Sequence, residues 1–470
     1  MPKRYYGKKA KYARVVSQAV KESPKAAESI ARTPTKGHLL KFALPTVLSM
    51  LIMSTFGIVD GIFVSRLVDQ AALAATTIIF PFLAFVLAVG FMLGVGGNAL
   101  IAKKIGAGQK EEGRQNFSLI VLVAFIVSII IAIVGIAFPS FIINNILGAD
   151  DFIYPMALTY LQPLLYFMPA IVLGMVFTQF LITEGKAHIS AIVSLASGLT
   201  SAGLNYVFIY LMDLGLQGAA LATSIGYTLP AIVGLAYFTF MRGGNLYFVR
   251  PRLDFRALGR TCINGASEMV SMLATSVTAT IMNNILMRIH GFEAAAAAAI
   301  IFAGFGIFTS LFIGYSSGIA PIVSYNFGKE DADNLKLAFK NSLRILGIVS
   351  VAAIALAWLS TDLLLRVYDI PAASPIHEMT TQGLRIISVG FVFMALNTFG
   401  SMFFTALNNG LVSTTISFFA AFVFVAAAYA VLPAIFGVTG AWMSIPAAET
   451  LAIGVTIFFL LKMRKRYNYA

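Results

Sequence analysis

The chain reads as an all-α polytopic membrane protein, with twelve transmembrane helices in two six-helix lobes related by a pseudo-two-fold axis along the membrane normal. Three observations predict this. Charged residues are 11% of the 470 and hydrophobic ones 59%, where a soluble protein carries about 25% charged. Apolar stretches of the length a bilayer requires, roughly 20 residues, recur from end to end, which excludes a soluble domain on one anchor. The sequence also repeats itself: SMLIMSTFGIVDGIFVSRL from Ser49 aligns without gaps to SMLATSVTATIMNNILMRI from Ser271, an offset of 271 − 49 = 222. The same register pairs Arg66 with Arg288, Gly96 with Gly318, Gly106 with Gly328, Gly215 with Gly437 and Gly218 with Gly440. Each half holds six spans, an even number, so the halves share one orientation and face each other as a rocking transporter would.

Residues 1–36 carry ten Lys or Arg against Glu22 and Glu28, with no apolar core of signal-peptide length. They predict a basic cytoplasmic tail. The N-lobe is expected over 37–241, with spans near 39–65, 73–102, 117–140, 153–182, 189–211 and 217–241. A basic linker, 242–260, leads to a C-lobe over 261–462, with spans near 261–287, 294–323, 338–360, 381–407, 411–434 and 438–462, and a basic C-terminus over 463–470. Prolines inside the spans (Pro45, Pro81, Pro163, Pro169, Pro230, Pro321, Pro446) each delete a backbone donor and mark candidate bends.

Loop charge sets the orientation. The loops after spans 2, 4, 6 and 8 hold Lys103, Lys104, Lys110 and Arg114, then Lys186, then Arg242, Arg250, Arg252 and Arg256, then Lys329 and Lys336. The loops after spans 3 and 5 hold Asp150, Asp151 and Asp213 and no Lys or Arg. Positive-inside counting puts both termini in the cytoplasm. The same distribution accounts for the net charge of +13 without a nucleic-acid partner. Cys262 is the single cysteine, so no intrachain disulfide can form. The four histidines, His38, His188, His290 and His377, show no metal-ligand spacing, and no phosphate loop or paired acid motif is present. The chain is therefore expected to be no enzyme and to need no cofactor.

Chemistry then rests on acids within spans. Asp60 is the one charged residue between Lys41 and Arg66. An intramembrane acid is costly, about 2.5–3.5 kcal/mol on insertion scales, and usually lines a bundle interior or an ion path. The competing reading is an interfacial acid paired with Arg66. At the 222 offset Asp60 meets Met282, flanked by Asn283 and Asn284, so this acid belongs to one lobe only. Burial raises a carboxyl pKa and a bound cation lowers it, so such a group can exchange H+ or Na+ for a cationic substrate. Glu268 in span 7 has two open readings, a C-lobe cavity acid or an acid at the cytoplasmic mouth. Met53 and Met282 are candidates for an adaptable apolar cavity wall. Tyr160, Gln179, Asn283, Asn284 and Asn397 are its polar candidates.

LPTVLSMLIMSTFGIVDGIFVSRL (44–67), GVGGNALIAKKIGAGQKEEGRQN (94–116), GLNYVFIY (203–210), GLQGAALATSIGY (215–227) and NFGKEDADNLK (326–336) carry a family likeness. In their order and spacing over 37–462 the chain resembles the multidrug and toxic compound extrusion family of cation-coupled antiporters, in its prokaryotic branches. The resemblance implies export of amphipathic, often cationic, small molecules in exchange for H+ or Na+. It also implies a prokaryotic plasma-membrane location, and a monomer among lipids; a lipid-linked oligosaccharide flippase of the same superfamily is the alternative. It implies a helix bend at Pro45 and a coupling site at Asp60. Ser201, Asn205 and Thr223 would complete that site, with Asp60, Asn205 and Thr223 as ligands if the ion is Na+. Asn205 stands where the family pattern has an acid. A second branch couples through acids in spans 7 and 10, and here span 10 reads Asn397-Thr398.

Overall fold

A computed structural model describes residues 30–68, 70–150, 152–368 and 370–470, with the side chains at 57, 58, 60–67, 70, 71, 73, 74 and 292 outside the description. The basic tail through residue 29 lies outside the described residues. Helices α1 (Lys36–Leu67), α2 (Gln70–Gly106) and α3 (Lys110–Ala137) form spans 1–3. Span 4 is a pair, α4 (Tyr154–Tyr166) and α5 (Met168–Thr183), bent by 58°. Span 5 is α6 (Ala187–Asn205) extended by a π-helical turn, Tyr206–Leu211, and span 6 is α7 (Gly215–Phe240). The second half repeats this with α8 (Phe255–His290), α9 (Phe292–Gly328) and α10 (Ala332–Val367). Span 10 is α11 (Pro375–Val389) and α12 (Phe391–Ala406), bent by 48°. Then come α13 (Gly410–Phe418), a π-helical turn (Phe419–Val423) and α14 (Phe424–Tyr467), which Gly437 divides at a non-helical φ of 59°. With each bent pair one span, and 410–467 two spans, the described residues give the expected twelve.

The repeat is visible in the backbone. Gly215 and Gly437, 222 apart, both adopt positive φ (51° and 59°) and both open the last span of their lobe. The bends of spans 4 and 10 also fall at equivalent places, at Phe167 and Gly390. Among the prolines expected to bend helices, Pro45, Pro81, Pro230 and Pro321 lie inside uninterrupted helices. The sharp break comes beside Pro169, at the first turn of α5, where its missing N–H costs nothing.

Two apolar cores occupy the two lobes, one built mainly from 72–246 and the other mainly from 282–469. Spans 1 and 7 cross between them. Leu39, Phe42 and Ala43 of α1 sit in the C-lobe core, whereas Met53 packs on the N-lobe core. In mirror fashion Leu258 and Cys262 of α8 pack on the N-lobe core, and Met282 and Leu286 are buried in the C-lobe core. The lobe boundary therefore runs through the middle of spans 1 and 7, not at their ends.

Where they cross, backbone meets backbone. A Cβ on Gly106 would collide with the Tyr325 carbonyl, and one on Gly328 with the Lys103 carbonyl. These are one contact made twice, since 103 + 222 = 325 and 106 + 222 = 328. Likewise Gly96 abuts Thr261 and Gly265, while Gly318 abuts Ala43 and Thr46. Lipid offers no hydrophobic drive between helices, so such close approach, with its dispersion and weak Cα–H···O contacts, is what joins them. Lateral hydrogen bonds add to the seam: Ser317 Oγ donates to Gln179 Oε1 (3.2 Å), and Asn408 Nδ2 donates to the Ala99 carbonyl (3.0 Å).

The interlobe linker is shorter than the charge pattern suggests, because α8 begins at Phe255, capped by Asp254, whose carboxylate accepts from the Arg256 and Ala257 N–H groups at 3.0 Å. The linker is clasped to the N-lobe. Glu184, 1% exposed beyond the end of α5, accepts from the Asn245 and Leu246 N–H groups, both at 2.8 Å. Arg114 Nε donates to the Asn245 carbonyl (3.0 Å) and its guanidinium lies over the Tyr247 ring. Phe248 packs on Phe117 with ring centroids 5.2 Å apart, and Tyr469 packs on Phe339 at 5.0 Å. Since 117 + 222 = 339, the C-terminus closes the C-lobe as the linker closes the N-lobe.

Two outcomes follow from these contacts. Gly265→Leu should hold the lobes apart at the seam, read as longer spin-label distances between 104 and 329, with Gly259→Leu, where no neighbour lies within 4 Å, as the unaffected control; an unchanged distance distribution in Gly265→Leu refutes the seam's role. Burial pushes the Glu184 carboxyl up to about 7, against the opposing pull of the Asn245 and Leu246 N–H groups, Lys186 and Arg114. A carboxyl raised on folding contributes full stability below its unfolded value near 4.5 and loses it as pH climbs to about 7. Thermal unfolding in detergent should therefore weaken across that window in the wild type. Glu184→Gln should show a flatter profile and a lower plateau, since one N–H then faces an amide donor at a cost of about 1–3 kcal/mol.

Candidate functional site

The cavity begins where the seam ends. On α8, Glu268 lies one turn beyond Gly265; on α1, Met50 and Met53 lie beyond Val47; on α2 and α9, Phe91 and Ile313 lie just before Met92 and Gly314. These side chains, with Met272, Phe302, Phe305 and Met394, enclose a cavity of about 260 Å³. Flexible thioethers and aromatic faces give a wall that repacks around different apolar guests. Its polar members come from the C-lobe: Glu268, Glu449 and Asn397, with the hydroxyls of Ser271, Thr275, Thr278, Thr309, Thr398, Ser401 and Ser417. No Lys, Arg or His lines it among the described residues.

Glu268 is 7% exposed and stands at the head of a hydroxyl chain. Ser267 Oγ donates to its Oε1 at 3.4 Å and is 3.1 Å from Thr405 Oγ1; Thr405 is 2.6 Å from Ser413 Oγ, and Ser401 is 3.0 Å from Ser413 and 2.8 Å from Ser417. Such a chain of rotatable hydroxyls can reorient to serve a neutral or an ionised carboxyl. Of its two sequence readings the structure places Glu268 in the cavity, at its floor.

Glu449, in span 12, was not anticipated. Asn397 Nδ2 donates to its Oε2 at 2.7 Å and to its backbone carbonyl at 3.0 Å, and Thr456 Oγ1 donates to Asn397 Oδ1 at 2.7 Å. The signal was available: Glu449 is a lone acid in an apolar run, the same pattern that singles out Asp60.

A second, smaller cavity of about 70 Å³ lies within the N-lobe, among spans 1, 4, 5 and 6. Ser201 and Thr223 both line it, with Thr178, Ser194, Ser197 and Tyr227, and Met53 and Met175 line both cavities. Ser197 Oγ donates to the Gly226 carbonyl at 2.6 Å, tying spans 5 and 6 together. Asn205 is buried one turn beyond Ser201 on the same face of α6 but does not line the cavity. Asp60 lies on α1 about one turn beyond Phe56, which lines this cavity; its side chain is outside the described residues.

The other sequence candidates divide. Met53 and Asn397 line the central cavity as expected. Gln179 does not; it is buried at the seam as Ser317's acceptor. Met282 is fully buried in the C-lobe core, Asn283 and Asn284 are exposed, and Tyr160 packs on the N-lobe core. On a helix, side chains a residue or two apart face different neighbours, and an apolar sequence hides which face meets lipid. Pro45 lies within α1, where Ser49 Oγ donates to its carbonyl at 3.0 Å.

The comparisons with known proteins agree with this architecture. The MatE family model matches residues 45–207 and again 268–430. The copies begin 268 − 45 = 223 apart, one residue from the register of the seam glycines. The chain is 24% identical over 432 residues to the multidrug export protein MepA of Staphylococcus haemolyticus, covering 91% of this chain and 94% of the relative. It is also 24% identical over 443 residues to MepA of Staphylococcus aureus strain MRSA252, with 93% and 95% covered. Among solved structures, the outward-facing conformation of a multidrug resistance MATE family transporter superposes with a TM-score of 0.87 at 20% identity, over 94% of this chain and 98% of that one. The chain belongs to the MatE family, the multidrug and toxic compound extrusion transporters.

Proposed function

We propose that this protein exports amphipathic, cationic small molecules through the central cavity, by alternating access of the two lobes, in exchange for H+ or Na+. One observation carries the reading: a cavity walled by Met and Phe side chains whose only charged members, among the described residues, are two carboxylates. Apolar walls take up the body of an amphipathic guest and a carboxylate takes up its charge. The same observation weighs against the flippase alternative, since an anionic lipid-linked sugar calls for cationic side chains in that space. The relatives named multidrug export proteins point the same way.

Orientation follows from loop charge. With Lys103, Lys104 and the linker arginines in the cytoplasm, both termini lie there too, and the glycine seam closes the cytoplasmic end of the pathway. The substrate then leaves on the opposite side, across a prokaryotic plasma membrane. One chain holds the whole pathway, so the working unit is a monomer, its two six-span repeats lying within 37–241 and 255–462 and exchanging the first half of spans 1 and 7 between lobes. Coupling is assigned to Asp60, with Ser201, Asn205 and Thr223 near it in the N-lobe, and to Glu268 in the C-lobe. Each carboxyl is neutral or ion-bound when it is not paired with substrate.

Transport of a cationic dye in proteoliposomes under imposed pH or Na+ gradients tests this. Glu268→Gln and Asp60→Asn should each lower the gradient-driven rate about tenfold or more, equivalent to at least about 1.4 kcal/mol of lost coupling. Wild-type rates from Asp60→Asn under both gradients would remove the N-lobe site from the mechanism. Wild-type rates from Glu268→Gln would confine coupling to the N-lobe. Lipid scrambling without dye efflux would establish the flippase instead.

A further inference from the structure

We propose that Glu449 is a second proton-exchanging carboxylate of the central cavity, held in place by Asn397 and Thr456. This rests on the antiport reading above. The two acids reach one cavity from different helices, Glu268 from span 7 and Glu449 from span 12. Glu449 is fixed rather than mobile. Thr456 Oγ1 occupies the Asn397 amide oxygen, so the amide nitrogen is turned to the carboxylate and to the Glu449 carbonyl. Substituting the hydroxyl or the amide would free the carboxylate to swing, so Asn397 and Thr456 act as positioning residues.

The oxygens left over face the cavity. No described residue donates to Oε1 of Glu449 or to Oε2 of Glu268. Thr278, 9% exposed and also lining the cavity, has no hydrogen-bond partner among the described residues, although Thr275 and Thr280 on the same helix bond back to the Ser271 and Ser276 carbonyls. A hydroxyl on the cavity wall with no protein partner is available to a guest. No described cation lines the cavity to compete for the acids. On the helices packed against span 12, Arg256, Arg260, Arg288 and His290 of α8 and Glu378 and Arg385 of α11 are exposed, His377 of α11 is half-buried, and none lines the cavity.

The surroundings of Glu449 favour a proton over Na+. Na+ needs several oxygen ligands, but the nearest polar group presents N–H, and its own oxygen is already taken by Thr456. The exchange balances simply. When an organic cation enters, the carboxylic O–H of Glu449 breaks, the proton passes to water, and the carboxylate pairs with the cation; departure of the cation and uptake of one proton reverse it. With Glu268 doing the same, the cavity carries two exchangeable protons.

The test is proton release on binding. The full-length protein in detergent, in weakly buffered Na+-free solution, is titrated with ethidium, and the protons released per ethidium bound are read with a pH-sensitive dye. Glu449→Gln should release about one proton fewer per ethidium bound than the wild type, one coupled group being gone, and so should Glu268→Gln. Release from Glu449→Gln equal to that of the wild type overturns the proposal and leaves the antiport reading standing. No release from the wild type overturns the proposal together with the H+ form of the antiport reading. Should Glu449→Gln fail to fold, Thr456→Val decides the matter, since it keeps both acids and the Asn397 amide. Its release should show a displaced pH profile, and a profile superimposable on the wild type overturns the role given to Glu449.

Discussion

Everything in this structure depends on backbone touching backbone across the seam. Gly106 against Tyr325 and Gly328 against Lys103 are the two halves of one pseudo-symmetric contact, and Gly96 and Gly265 interlock between them and the cavity. No side chain can be added at these positions without moving a helix, so the closed end of the pathway is defined by the absence of Cβ atoms. In a bilayer that absence is the available means of strong association, because lipid tails solvate leucine as well as another helix does. The seam also fixes where the cavity starts. Glu268 lies three residues past Gly265 and Ile313 directly before Gly314, so the floor of the site and the gate below it share the same turns of helix.

The crossing of spans 1 and 7 turns two lobes into one mechanism. A boundary at the end of the sixth span would give two bundles joined by a tether. Instead α1 starts in the C-lobe core and finishes beside the N-lobe cavity, and α8 runs the opposite way. A rocking motion of one lobe must therefore shear both helices at about their midpoints, where Met50, Met53, Glu268 and Met272 line the cavity. The linker adds no freedom of its own, being held by Glu184, Arg114 and Phe248 against the N-lobe.

Much of the skeleton was legible in the sequence because it is written in glycine spacing and apolar length. The 222 offset anticipated the seam pairs and the positive-φ pair Gly215 and Gly437, since such glycines are irreplaceable and keep register. The bends were less legible: proline marks a missing donor, yet Pro45 and Pro321 sit inside continuous helices, and span 10 bends at Gly390, packed on Pro446, with no proline in the break. The site was half legible. Met53, Glu268 and Asn397 all line the central cavity, and the latter two are legible because charge or amide in an apolar run stands out. Met282, Asn283 and Asn284 were misplaced, because the repeat identifies a helix position without identifying the neighbour it meets. Glu449 obeys the rule used for Asp60, but lies in the last span, outside every stretch that carries the family likeness.

The asymmetry of the acids is the deeper departure from the repeat. Glu268 corresponds to Thr46, which touches Gly318 at the seam, and Glu449 corresponds to Tyr227, which lines the N-lobe cavity. The backbone symmetry thus holds two chemically different halves: a C-lobe presenting carboxylates, amide and hydroxyls to the central cavity, and an N-lobe presenting hydroxyls to a pocket a quarter of its size. Symmetric halves would bind a cation equally well in both and give it no preferred side. With the described charges of the central cavity all on one lobe, the proposed organic cation would be held electrostatically from one wall while Leu87, Phe91 and Met175 of the other offer only apolar contact. In the proposed cycle, moving the lobes would then separate the apolar wall from a guest still paired to the acids, and the strength of that pairing is what a proton would cancel.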